Sequence, residues 1–265
     1  MASQPMSRSQ SVSSDRAQIH SRLPSLLTPP TSTSLAPAYI AASAASQLVT
    51  TDHDSQAYSW FTEDGIAPSG ESVLVSPASL NLVNSFLDQL LYNFLCVARS
   101  TALGALRSAV LEVLKPTLAR EAIEGADQEL NEYLGDKDEE DLLELEHEQA
   151  SGTDWDIERV WKQTRLRCMV YSSLGDVEED DEELYLEQEQ INSPSGDLPN
   201  AQSGMIPPPV AVFLTSILEF IGEQTLIVAG QAAYQRSRPK RRPEGEGLTS
   251  PHDIADRVVV LELDT

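Results

Sequence analysis

The chain of 265 residues has few of the residue types that build catalytic or metal centres. It contains two cysteines, Cys96 and Cys168, which are too few for a disulfide framework or a cysteine-ligated zinc site. Its four histidines stand singly, so no histidine metal cluster is expected. Hydrophobic residues make up 40% of the chain and aromatic residues 6%, enough for a modest core but not for one that includes every residue.

Sequence motifs of nucleotide-binding proteins and hydrolases are also missing. The chain has no GxSxG nucleophile elbow, no P-loop and no GxGxxG. Acidic side chains are abundant, but they stand in solvated runs where nothing raises the pKa of one carboxyl, as general acid catalysis requires. The N-terminal residues lack the apolar core of a secretory signal. We therefore expect a protein that is not an enzyme and that uses no cofactor and no small-molecule substrate.

Negative charge is concentrated in two short stretches. The chain has a net charge of -24. Residues 121–148 contain thirteen acids and one lysine, and residues 176–189 contain nine acids and no base. Together they carry -21, so the remaining chain is nearly neutral. Because such runs are usually solvated and oppose DNA phosphates, direct DNA binding by the whole chain is not expected.

Composition divides the chain into four segments. Residues 1–57 are rich in Ser, Pro and Ala without a stable apolar period, which predicts a disordered tail. Residues 72–135 and 207–265 are expected to form two helical units, the second with a basic linker. Residues 136–206 form an acidic region that is expected to contain a helix near 154–171.

Apolar residues at helical spacing define the first unit. Ser76 followed by Pro77 is typical of a helix start, and the pattern predicts a long amphipathic helix to about Ser100. A second helix is predicted before Pro116, where proline interrupts the pattern, and a third from there to Gly135.

The second unit is marked by an apolar pattern that follows Pro207 and runs to Ala232. It is apolar enough to resemble a membrane span. Glu219 and Glu223 lie in its middle, however, where charges are costly in lipid. We therefore expect a helix buried against protein and no membrane partner.

Two segments resemble core histones. Ser76–Leu134 resembles a histone 2B-type fold, and its clearest match is Asn84-Ser85-Phe86 in the long helix. Pro209–Ala233 resembles the central helix of a histone 2A-type fold, through Ile217-Leu218-Glu219-Phe220 and Ala229-Gly230-Gln231-Ala232-Ala233. Together the matches cover under half of the chain, and neither is a catalytic signature.

The resemblance implies an all-α protein whose two units form a histone-fold pair, a pseudo-heterodimer in one chain with long disordered and acidic segments. A histone-fold unit does not bury its apolar face alone, and the tether between these two units gives each a high effective concentration for the other. Pairing with a separate histone-fold chain remains the alternative. The expected dimer surface consists of Phe86, Leu90, Phe94, Ile217, Leu218, Ile221 and Val228.

The chain also departs from the histone pattern. The region between Phe86 and Ala109 is shorter than in the 2B-type family and lacks the basic loop that grips DNA phosphates. The second unit keeps Glu219 of the family's acidic surface patch, but Gln224 and Ile227 stand where other acids would be. The first helix of each unit is not recognisable. Nucleosomal DNA wrapping and acidic-patch docking are therefore not expected to carry over.

These features predict a nuclear protein that acts by protein heterodimerisation in a chromatin or transcription assembly. One alternative is an acidic chaperone that binds core histones, with the candidate residues Asp180, Asp181 and Tyr185. A second alternative is a DNA-binding module. Its candidate residues form a basic cluster that also matches a nuclear import signal: Arg236, Arg238, Lys240, Arg241 and Arg242.

Overall fold

A computed structural model describes residues 38–64, 72–135, 155–177, 181, 206–237, 259–261 and 264–265. These residues form an all-α fold with one two-stranded sheet. The elements in chain order are α1 (Ala42–Asp64), β1 (Leu74–Val75), α2 (Pro77–Ala98), α3 (Leu103–Val113), α4 (Pro116–Leu134), α5 (Ile157–Val170), α6 (Pro208–Ser237) and β2 (Val259–Val260).

The boundaries of α2 and α4 follow local sequence signals, as predicted, and α3 ends before Pro116, as predicted. Ser76 caps α2, because its side chain accepts a hydrogen bond from the backbone N–H of Ser79, and Pro77 occupies the first turn. Arg99 ends α2 in the left-handed conformation, with φ 48°. Pro116 opens α4, and Gly135 closes it with φ 61°.

Helix α6 is the central element of the described fold. It packs against α1, α2, α4 and α5, and its most extensive contact is with α4. The face that α4 offers to the core is built of alanines followed by leucines, which allows close approach of the two helices: Ala119, Ala122, Ala126, Leu130 and Leu134. By length and composition α6 is apolar enough to cross a membrane, but 56% of its apolar window is buried inside the protein. Its apolar composition is therefore that of a core helix.

The expectation of a disordered tail through residue 57 is wrong for residues 42–57, which belong to α1. The preceding residues Tyr39 and Ile40 are buried, as are Ala45 and Val49 of the helix. Sequence patterning missed this helix because its apolar residues are sparse and its Ala, Ser and Thr residues give no amphipathic period. Burial against α6, rather than intrinsic propensity, accounts for its order.

Two glycines of α6 allow α1 and the residues before it to approach closely. A Cβ atom at Gly230 would lie 2.4 Å from Cγ1 of Val49, and one at Gly222 would lie 2.6 Å from Cδ1 of Ile40. Both distances are too short for real carbon–carbon contacts. Residues 222 and 230 thus mark the face of α6 on which this segment lies.

The two strands connect the start of α2 to residues 259–260. β1 and β2 are parallel, with Leu74 opposite Val259 and Val75 opposite Val260. The carbonyl of Val260 also accepts hydrogen bonds from the backbone N–H of Ser76, at 3.0 Å, and from Oγ of Ser79, at 3.1 Å. Val75 and Val260 are buried on the inner side of this pair.

The basic helix predicted near 154–171 is present as α5, and its side chains are used within the fold. Asp156 caps the helix by accepting a hydrogen bond from the N–H of Arg159. Arg167 donates to the carbonyl of Ile206 at 2.7 Å, and Lys162 pairs with Glu158 one turn away. The rest of the predicted acidic region lies outside the described residues, apart from 172–177, 181 and 206.

We expect Gly230→Ala to destabilise the protein by about 1–3 kcal/mol, because the new methyl group meets the stiff side chain of Val49. Gly125→Ala is the matched control. Gly125 also lies within a helix, but nothing stands within 4 Å of its added Cβ, so we expect a gain of about 0.5–1 kcal/mol. Urea denaturation of the full chain measures both changes. Equal effects of the two substitutions would contradict the close approach, as would a failure of Val49→Ala to rescue Gly230→Ala.

Candidate functional site

The predicted dimer surface is only partly the surface along which the helices pack. Leu90, Phe94, Ile217, Leu218 and Ile221 are buried in one core between α2 and α6 and their neighbours. Phe86 is 42% exposed and Val228 is 62% exposed, so assigning them to a buried surface within this chain is wrong.

Helix geometry explains both errors. The buried stripe of α2 runs through Val83, Leu87, Leu91 and Phe94, and Phe86 is turned about 100° away from its neighbour Leu87. The first half of α6 is buried on several sides. Its second half is buried mainly along Gly222, Leu226, Ala229 and Ala233, which leaves Val228 outside.

A buried amide fixes the segment before α1 onto α2. The side-chain oxygen of Asn84 accepts a hydrogen bond from the backbone N–H of Ile40 at 3.0 Å, and its nitrogen donates to the Ile40 carbonyl at 3.2 Å. The same nitrogen also lies 3.1 Å from the Leu80 carbonyl. Asn84 thus satisfies both backbone groups of one buried residue, as a neighbouring strand would.

A partly buried ion pair joins α2 to α5. Nε of Arg165 lies 2.5 Å from one carboxylate oxygen of Asp88, and Nη2 lies 3.4 Å from the other. Trp161 supports the contact by donating its indole N–H to the backbone carbonyl of Asp88 at 3.3 Å. The guanidinium of Arg165 also lies over the ring of Tyr39, 5.6 Å from its centroid.

Burial dominates the electrostatics of this ion pair. It raises the pKa of Asp88 despite the opposing positive charge of Arg165. Burial and, second, the negative charge of Asp88 raise the pKa of Tyr39 well above its ordinary value. Burial and the charge of Arg165 thus act in opposite directions on the pKa of Asp88.

A second polar junction, formed by residues 39–41, residues 172–174 and Glu219, lies at the end of α5. One carboxylate oxygen of Glu219 accepts hydrogen bonds from the backbone N–H of Ser173 at 2.6 Å and from that of Leu174 at 3.3 Å. The hydroxyls of Ser172 and Ser173 lie 3.1 Å and 2.9 Å from the same oxygen. Glu219, which the sequence associates with an outward-facing acidic patch, is thus engaged within the fold.

The same junction holds the residues that precede α1. The N–H of Ala41 donates to the Leu174 carbonyl at 2.7 Å, and the hydroxyl of Ser172 lies 2.9 Å from the Tyr39 carbonyl. Gly175 lies close to the same residues, because a Cβ there would be in van der Waals contact, at 3.4 Å, with the carbonyl oxygens of Ala38 and Tyr39. Glu219 therefore connects α6 to residues 39–41 through the turn that follows α5.

The basic cluster begins with a residue that is bound within the fold. Arg236, in the last turn of α6, forms an ion pair with Asp264 and donates to the carbonyl of Val259 at 2.9 Å. It therefore holds Val259 and Asp264 beside the end of α6. The other four members, Arg238, Lys240, Arg241 and Arg242, lie outside the described residues.

The described part of the chain includes only one of the three candidate histone-binding residues. Asp180 and Tyr185 lie outside it, and Asp181 is described and partly exposed.

Within the described residues, no group of three His, Cys, Asp or Glu side chains has the arrangement to hold a metal ion. Burial raises the pKa of the Cys168 thiol to about 12 and also raises the pKa of Cys96. Both thiols therefore stay protonated at neutral pH, and neither is an activated nucleophile.

Sequence reasoning missed the residues that hold the helices in register. Asp88 is the one charged residue of α2, and Arg165 is the base of the basic helix α5 that lies on its buried face. Placing both on helical wheels would have identified complementary charges near two apolar faces. Tyr39 and Ile40 give no comparable signal, because two apolar residues after a proline do not define an element.

No protein-family model, no curated protein and no solved structure matches this chain. A functional proposal for this chain therefore rests on the geometry of the described residues and on the histone resemblance of the sequence.

We expect Asp88→Asn to destabilise the protein by about 3 kcal/mol, because it removes the carboxylate that pairs with the largely buried guanidinium of Arg165. Arg165→Met should cost a similar amount. The double variant should cost clearly less than the sum, since both single substitutions remove the same interaction. Urea denaturation of the full chain measures the cycle.

The control pair is Lys162 and Glu158, which is also one ion pair but lies nearer to solvent. Glu158→Gln should change the free energy of unfolding by about 0.5 kcal/mol or less. Additive effects in the Asp88–Arg165 cycle would show that the two charges do not interact in the fold.

Proposed function

We propose that this chain is a non-enzymatic histone-fold protein whose two units pair with each other. It then acts as a subunit of a nuclear chromatin or transcription assembly by protein heterodimerisation. Two observations support the proposal: the histone resemblance of two segments, and the packing of the helices that contain them.

The observation that carries the proposal is the burial of α6 against the first helical unit. Each unit is centred on a long helix, α2 in the first and α6 in the second, and the two helices share one core with α4. Each long helix is preceded by another helix, α1 or α5, although no first helix is recognisable in the sequence of either unit. The parallel pairing of β1 with β2 ties the entrance of α2 to a segment that follows α6.

Internal pairing changes where a further partner would bind. Leu90, Phe94, Ile217 and Leu218 are buried in the described fold, so a second histone-fold chain has no access to them unless the units separate. A partner of the folded chain would use outer surfaces instead. The exposed residues Leu82 and Phe86, one turn apart on α2, belong to such an outer surface.

We expect Leu218→Asp to remove hydrogen-exchange protection from α2 as well as α6, because a buried charge would break the core that both helices share. Val228→Asp is the matched control on the same helix. Val228 is 62% exposed, so its replacement should leave protection of both helices unchanged. Hydrogen exchange by mass spectrometry, with mass in solution measured in parallel, tests both on the full chain.

The proposal requires the unsubstituted protein to be a monomer with joint protection of α2 and α6. Loss of protection confined to α6 in Leu218→Asp would contradict internal pairing. Protection that appears only in a dimer would favour pairing between chains.

The basic cluster is the candidate for nuclear import and, in the alternative, for DNA contact. Arg236 is engaged with Asp264 and Val259, so import or DNA contact would rest on the remaining four bases. We expect replacement of Arg238, Lys240, Arg241 and Arg242 by alanine to abolish nuclear accumulation of a fluorescent fusion and leave α2 and α6 protected. Unchanged accumulation would contradict the import role.

Binding measurements with purified components test the two alternatives. A DNA-binding module would bind a DNA duplex with an affinity that falls steeply with salt and disappears in the four-alanine variant. A histone chaperone would bind core histones through the second acidic run, so deletion of residues 176–189 would abolish binding without unfolding α2 and α6. We expect neither result for the proposed assembly subunit.

A further inference from the structure

Ser173 combines an exposed side chain with a hydrogen bond to Glu219 of the core helix α6. It lies in the turn after α5, and its side chain is exposed, whereas that of the adjacent Ser172 is buried. Its hydroxyl is 2.9 Å from the carboxylate of Glu219, in the junction that holds residues 39–41. An exposed turn is the kind of segment that can enter the active site of a modifying enzyme.

The sequence after Ser173 has the charge pattern of a substrate for an acid-directed protein kinase. Asp176 stands three residues after Ser173 and is exposed, and it opens the run of nine acids without a base through residue 189. Protein kinases select substrates partly by complementary charge, so such a run favours a kinase with a basic substrate groove. The exposed Ser108 differs, because it lies within α3 and none of the next three residues is acidic.

We propose that Ser173 is a phosphorylation site for an acid-directed serine/threonine kinase, and that its phosphorylation releases residues 39–41 from the junction at Glu219. In the transfer, Oγ of Ser173 bonds to the γ-phosphorus of ATP. The bond from that phosphorus to the β–γ bridging oxygen breaks and ADP leaves. The hydroxyl proton passes to the base of the kinase.

The release follows from charge. A phosphoserine carries about -1.5 to -2 at neutral pH and has no hydroxyl donor. At residue 173 it would replace a donor to Glu219 with a dianion beside that carboxylate. Repulsion would separate the turn from α6, and the backbone N–H donations of Ser173 and Leu174 to Glu219 would be lost with it.

Movement of the turn would reach α1 through its own contacts. Leu174 accepts from the N–H of Ala41, Ser172 contacts the Tyr39 carbonyl, and Gly175 packs against Ala38 and Tyr39. Residues 38–41 lead directly into α1. Phosphorylation would therefore loosen the α1 side of the fold while the core between α4 and α6 stays packed. This switch goes beyond the proposed function, because it does not depend on which assembly the protein joins.

The experiment treats the full chain with an acid-directed serine/threonine kinase, ATP and Mg²⁺, and maps phosphate by peptide mass spectrometry. We expect phosphate at Ser173 and none at Ser108 or Ser172. Hydrogen exchange at residues 39–49 should then rise about tenfold, as expected from the loss of a charge-assisted hydrogen bond. Exchange in α4 should stay unchanged.

Two variants separate phosphate charge from other effects. In Glu219→Gln the repulsion is absent and the amide can donate to the phosphate, so phosphorylation should no longer raise exchange at residues 39–49. Ser173→Ala should remove the phosphate without reproducing the full increase. Phosphoserine incorporated at residue 173 during synthesis tests the release independently of any kinase.

Three results would overturn the proposal. One is phosphate that maps only to other residues. Another is phosphoserine at residue 173 with unchanged exchange at residues 39–49. The third is an equal increase of exchange in the Glu219→Gln variant, which would mean that the carboxylate plays no part.

Discussion

The burial of α6 is the constraint on which the rest of the described fold depends. Helices α1, α2, α4 and α5 all contact it, and most of its first half is enclosed by them. No other described helix could replace it, because the apolar faces of α2 and α4 meet it in one shared core. Burial of this kind is the dominant favourable contribution to folding, and here it comes from segments far apart in sequence.

Polar contacts decide how these helices are arranged around α6. Asn84 holds Ile40, Asp88 holds Arg165, and Glu219 holds the turn after α5. All three sites meet at or beside residues 39–41. Apolar packing alone tolerates several arrangements, whereas partly buried donors and acceptors must each find a partner. The short segment before α1 thus receives its position from α2, α5 and α6 together.

The helices whose residues carry strong local signals could be predicted from the sequence. Ser76, Pro77, Pro116 and Gly135 act on their own turns, so the bounds of α2 and α4 required no tertiary information. Helix α1 could not be predicted, since its order depends on space left by Gly222 and Gly230 of α6.

The residues of the candidate site also divide into those that the sequence pattern predicts and those that it does not. Leu90 and Leu218 follow from helical period, whereas Phe86 and Val228 were misplaced because period alone does not say how wide a buried face is. The role of Glu219 depends on a turn brought to it by folding, which no local pattern encodes.

The pairing of β1 with β2 has a consequence for biosynthesis. Ser79 and Val260 are separated by 181 residues yet share a hydrogen bond at the entrance of α2. At a translation rate of about 5–20 residues per second, the ribosome would need roughly 10–40 s to add the partner strand after α2 has begun. For most of that interval, until α6 has been synthesised, the first unit has neither α6 nor β2 to cover its apolar face. Burial of that face therefore has to wait until residues on both sides of the acidic region have been synthesised, which makes the contacts of the core strongly non-local.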